Sequence, residues 1–210
     1  MFDNFGSELS YKDILQCDGA FDECHRVYGK APIFNGQKLE PYNFSGTKNR
    51  PENQSTMLPS TETEFNSETW KHYWLEYINA FDSLSKTLPD SVVTAFVGRH
   101  AIEIGLKYLI LLQDEKVVLT HGLNTLTNQL YKTYNIDYDS YPYMKWVDSF
   151  LDAYSENIEH MHFEYFRYPE YRKNQSFTGF ELDISWLSYN FSLILLKFLH
   201  LAGLDSEILL

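Results

Sequence analysis

This 210-residue sequence has no long basic runs, no glycine-rich phosphate loop and few cysteines. Lys and Arg number 17 against 29 Asp and Glu, a net charge of −12. A surface this acidic does not bind nucleic acid over its whole extent, because phosphate contacts need clustered cations. A local basic patch remains compatible with it, and the acidity itself favours solubility. Cysteine is confined to Cys17 and Cys24. With His25 they suggest half of a zinc site, but no second cluster completes it and the spacing matches no common zinc pattern. The expectation is two reduced thiols in a cytoplasmic protein, with no metal and no other cofactor. No Ser/His/Asp or Cys/His catalytic set can be argued from spacing, and the Gly-x-x-x-x-Gly-Lys type of phosphate loop is missing.

Long hydrophobic runs are scarce as well. The opening stretch, MFDNFGSELS, has no basic segment followed by an apolar one and does not read as a signal peptide. The one membrane candidate, Trp186 to Ala202, contains Ser188, Asn190, Ser192, Lys197 and His200. It is short of the roughly 20 mostly apolar residues a span needs and reads as a buried helix of a bundle.

What is present is enough apolar material for a core, 44% of residues, with an aromatic share of 17%. Residues 1–62 form an irregular N-terminal arm: five of the ten glycines and four of the seven prolines lie there and interrupt regular structure. Short helical pieces are expected at Tyr11 to Leu15 and Phe21 to Val27, and a polar tether at Asn43 to Thr63. The arm keeps several aromatic residues, so it is expected to wrap along the bundle or meet a protein partner.

Residues 63–210 read as an all-α, up-and-down bundle of about five helices. The first starts near Asn66 or Ser67 and carries Trp70, Tyr73, Trp74, Tyr77, Ile78 and Phe81 at steps of three and four. Pro89 stops it, and Asp90 or Ser91 caps the next. So short a turn predicts antiparallel packing. The second helix, Val92 to Gln113, is apolar almost all round, the pattern of an interior helix. A third is expected from about Leu123 to Tyr134 with Thr120 as cap. A fourth begins near Pro142 and buries Val147, Phe150, Leu151, Tyr154 and Ile158. The last is capped by Asp183 and ends before Gly203.

The order of these signals resembles the HEPN families (higher eukaryotes and prokaryotes nucleotide-binding domains) over about residues 66 to 203. Three segments carry the resemblance. Arg99-His100-Ala101-Ile102-Glu103-Ile104-Gly105-Leu106-Lys107-Tyr108-Leu109 looks like the family's second helix. Thr120-His121-Gly122-Leu123-Asn124-Thr125-Leu126 looks like its His-x-Leu entry to the third. Phe166-Arg167-Tyr168-Pro169-Glu170 is similar to an Arg-Tyr-Pro segment after the fourth. Many HEPN proteins are metal-independent ribonucleases of toxin–antitoxin, CRISPR and anti-phage systems that dimerise to form one cleft. Their catalytic motif is an Arg followed, after four to six residues, by a His. This sequence departs from it: YPEYRKNQSF follows Arg167, His160 and His162 precede it, and His100 directly follows Arg99. The resemblance therefore implies a non-catalytic binding or interaction module, acting as a homodimer on RNA, a nucleotide or a protein partner. The rival is a divergent ribonuclease using Arg167 with His160, His162 or His121. A third reading is a structural subunit whose arm docks on another protein.

Each candidate residue also has a plainer role. Arg99, Glu103 and Lys107 stand four apart on one helix face and form either a ligand-facing line or two surface ion pairs worth about 0.3–0.5 kcal/mol each. His121 is either an acid–base group or a packed residue at a helix start. His160, His162, Glu164 and Arg167 make the densest polar cluster and, with Arg172 and Lys173, the only local basic patch, suited to stacking on bases or binding phosphate, or to pairing within the protein. The Trp70 to Phe81 stripe is core or, in part, a dimer seam.

Overall fold

The computed structural model describes residues 11–17, 67–113, 116–159 and 182–204, with short pieces at 33–34, 37–38, 166, 170–171 and 175–176. Its regular structure is helical: α1 (Tyr11–Leu15), α2 (Ser67–Thr87), α3 (Val92–Leu112), α4 (Leu123–Thr133), α5 (Val147–Tyr154) and α6 (Ile184–Leu201). The extended structure described amounts to two antiparallel pairs of two residues each, Ile33–Phe34 with Gln37–Lys38 and Glu170–Tyr171 with Gln175–Ser176. The protein is an all-α bundle in its described part, with α2 to α6 as its five principal helices.

Helix α3 is the interior post. It packs on α2, α4 and α6, and from Thr94 onward its residues are mostly buried. Its entry is not: Val92 and Val93 are about half exposed, so the apolar-all-round pattern overstates the burial of the first turn. The ends of α3 are set locally. Ser91 Oγ accepts the Val93 amide at 3.2 Å, and Thr94 Oγ1 donates to the Leu88 carbonyl at 2.6 Å, which fixes the turn from α2. The hairpin is antiparallel, because Phe81 late in α2 lies against Gly98 early in α3, while Trp74 lies against Gly105 and Tyr108 further along.

Helix α6 forms the second wall. Asp183 caps it, accepting the Trp186 amide at 2.8 Å, and Gly203 follows it at φ +70°, the left-handed turn expected after a helix end. It meets α5 through Phe150 with Trp186 and Tyr154 with Phe191. Lys197, fully buried, donates to the Leu15 carbonyl at 2.8 Å and lies over the Trp146 ring, whose Nε1 donates to the Cys17 carbonyl at 3.3 Å. Residues 11–17 of the arm thus lie on the bundle; the expected helix at Phe21 to Val27 and the tether fall outside the described residues, as do Cys24 and His25.

Two element boundaries differ from the sequence reading. Helix α4 is capped by Gly122, not Thr120, whose Oγ1 instead accepts the Gly122 amide at 3.1 Å one step earlier. The fourth helix is broken into three: a 3₁₀ turn at Pro142–Met144, then α5, then a π turn at Ser155–Glu159.

Candidate functional site

Arg99 and Glu103 are each 3% exposed, so the line they form is not a solvent strip. Charges in that position must be paired, since a lone buried charge costs far more than its burial returns. The partners come from α3 itself and from two other segments. Arg99 Nε donates to Glu159 Oε1 at 2.7 Å, and Nη2 reaches Glu159 Oε2 at 3.5 Å. Arg99 Nη1 donates to Glu103 Oε2, and Nη2 also donates to the His121 carbonyl. Lys107 Nζ donates to Glu103 Oε1 at 2.6 Å, and His121 Nδ1 lies 2.9 Å from the same oxygen. Arg99 ties the interior helix to the end of α5 and to the entry of α4 in one residue.

Glu159, 2% exposed, is the member that sequence reasoning missed. It stands just past the apolar face of α5, where an uninterrupted α-helix would turn it toward solvent above the exposed Asp152, two turns earlier. The π turn adds a residue to that last turn, so Tyr154 and Glu159, five apart, are both buried. A polar residue directly after Ile158, beside the polar cluster, was the only signal in the sequence.

The electrostatics follow from this geometry. Burial alone would lower the Arg99 guanidinium, but Glu159 and, more weakly, Glu103 overcome it and push it above its ordinary value. Burial alone would raise the Glu103 carboxyl; Arg99, Lys107 and His121 override it and hold it below the ordinary carboxylate range. Glu103 is therefore ionised and can only accept, so His121 Nδ1 carries the proton that faces it. The neutral ring then has its lone pair on Nε2, and the His121 side chain is 67% exposed. With two cations and two carboxylates the buried network is neutral when His121 is neutral.

Beside the network opens a groove of about 390 Å³ between α2 and α3. Trp70, Tyr73 and Tyr77 of α2 form one wall; His100, Ile104 and Lys107 of α3 form the other, with Glu103 beneath and His121 at the end. Tyr77 meets His100 edge to face at 4.7 Å, and Phe96 stacks on the same imidazole. The aromatic stripe of α2 is thus divided: Trp74, Ile78 and Phe81 are core, while Trp70, Tyr73 and Tyr77 border the groove.

Of the residues singled out in the sequence, the structure brings Arg99, Glu103, Lys107 and His121 together. His160, His162, Glu164, Arg167 and Arg172 lie outside the described residues. Among the described residues no group of three or more His, Cys, Asp or Glu is placed to hold a metal ion. No family model, curated protein or solved structure matches the chain.

Proposed function

We propose that the protein is a non-catalytic binding and interaction module with a HEPN-like, up-and-down bundle, acting as a dimer in a prokaryotic defence or toxin–antitoxin setting, with RNA or a nucleotide as ligand. One observation carries the reading. Two of the three segments that resemble the HEPN pattern, at Arg99 to Leu109 and Thr120 to Leu126, meet in space through Arg99 with the His121 carbonyl and Glu103 with His121 Nδ1. Residues that are far apart in the chain and share a family pattern are here parts of one network. Within it Arg99 organises the bundle, its donors turned to Glu159, Glu103 and His121, while Glu103, Lys107 and His121 line the groove.

The test is a gel-shift series with short single-stranded RNA at rising salt, run beside a cleavage assay in chelator and a light-scattering mass. A salt-dependent shift by a dimer with no cleavage is the expected result. A monomer that neither shifts RNA nor binds nucleotide overturns the reading.

A second reading, a divergent metal-independent ribonuclease toxin, is favoured by one feature: His121 presents Nε2 to solvent while a buried carboxylate holds Nδ1, the orientation of a general base. Under it the protein cuts RNA in chelator and His121→Ala abolishes the cut. It ranks second because Arg99, the arginine that reaches His121, directs its donors inward.

A further inference from the structure

We propose that the groove between α2 and α3 is a small-molecule site for a planar aromatic ring carrying one anionic group, a carboxylate or a phosphate. Three features define the ligand. The first is size. At about 390 Å³ the groove lies at the small end of the range for compact ligands, room for one or two fused rings rather than a strand of nucleic acid. The second is the wall. Trp70, Tyr73 and Tyr77 recur at steps of three and four on α2 and so lie along one side of it. None is fully buried, and Tyr73 is 37% exposed. Aromatic rings set in a row at a groove edge favour a flat partner.

The third feature is the polar end. Lys107, His121 and His100 bring nitrogen there, against Glu103 as the one acid among the groove's described residues. The Glu103 carboxylate already accepts from Lys107, His121 and Arg99. It has little capacity left for a cationic ligand, so an aromatic cage for an ammonium group is the wrong reading. The Lys107 ammonium has three N–H donors, one of them spent on Glu103. An anionic group placed there meets donors without displacing the network, which Arg99 and Glu159 keep neutral from below. The ring lies on the α2 aromatics, and the anion faces the Lys107 ammonium.

The phosphate form of the ligand rests on the nucleotide reading and deepens it; the carboxylate form stands apart from it. Both are tested by calorimetric titration of the full chain with indole-3-carboxylate and adenosine 5′-monophosphate, each beside its uncharged counterpart, indole-3-carboxamide and adenosine. At least one acid is expected to bind one to one with Kd between about 10 μM and 1 mM, an affinity ordinary for ligands of this size. Its uncharged counterpart should bind at least about tenfold more weakly, the loss of one charge-assisted hydrogen bond. Which acid binds better separates a carboxylate ligand from a phosphate one. Tyr73→Ala alters an exposed side chain and should keep the parent's circular dichroism and thermal midpoint, and Lys107→Gln keeps an amide donor toward Glu103 and should keep the circular dichroism; each should bind at least about fivefold more weakly. Ring-acid binding by a protein that does not shift RNA upholds the inference. It is overturned if neither acid binds, if the uncharged counterparts bind equally well, or if binding is unchanged in both variants.

Discussion

Arg99 shows how much one side chain can organise when it is buried. Its three nitrogens reach residues 4, 22 and 60 positions away, the last two on other segments, and the two carboxylates it meets are 3% exposed or less. Arg99→Met should therefore cost about 3–5 kcal/mol, the penalty for leaving buried charge without its partner, read as a fall in the urea midpoint. Glu103 makes the network sensitive to acid. Its carboxyl sits below the ordinary 4.5 in the folded protein, so the unfolded chain binds the proton first as pH falls. The stabilisation is complete above that ordinary value and is lost as pH drops through the lower folded one. Urea midpoints taken from about pH 6 to 3 should show this loss, and Glu103→Gln should flatten the profile while lowering stability at neutral pH. A profile of equal slope in Glu103→Gln would place the acid sensitivity elsewhere.

Helix α3 comes close to its neighbours because two of its positions have no side chain. A Cβ at Gly98 would come within 2.5 Å of the Phe81 ring, and one at Gly105 within 2.6 Å of Trp74 Nε1. Neither clash involves the free end of a flexible chain; both rings are fully buried. Alanine is the better helix former by about 1 kcal/mol. Even so, Gly105→Ala should destabilise the protein by about 1–3 kcal/mol, because overpacking a filled core outweighs propensity. A rise in the thermal midpoint would show that α2 shifts freely and that the notch is not required. These helices were readable in advance because the signals that make them are local. The three-and-four spacing of Trp74, Ile78 and Phe81, the Ser91 and Asp183 caps and the Gly203 turn all act within a few residues. The π turn was not readable, since what holds Glu159 inward is Arg99, 60 residues away.

For the molecule as a whole, the arm and the bundle meet at Lys197. Its ammonium is fully buried, with the Leu15 carbonyl and the Trp146 ring against it, so the short helix α1 is fastened from inside α6. An isolated five-residue helix does not persist in water, so α1 depends on that contact. Lys197→Met should release residues 11–17, seen as faster amide hydrogen exchange in that segment, with α3 exchange much less changed. Equal acceleration in both would mean that arm and bundle unfold as one unit.

The sequence by itself determined the class: helices at these positions, the second of them interior, a charged line along it, and an all-α bundle. Periodicity, caps and composition are enough for that, because each is a property of neighbours in the chain. Only the tertiary structure decided what the line faces. It tied Arg99 to Glu159, Glu103 and the His121 carbonyl, brought His121 to Glu103 and opened the aromatic groove beside Lys107. The reason is physical: a buried charge takes whatever partner the packing of distant helices delivers, and a helical repeat carries no record of which neighbour that is.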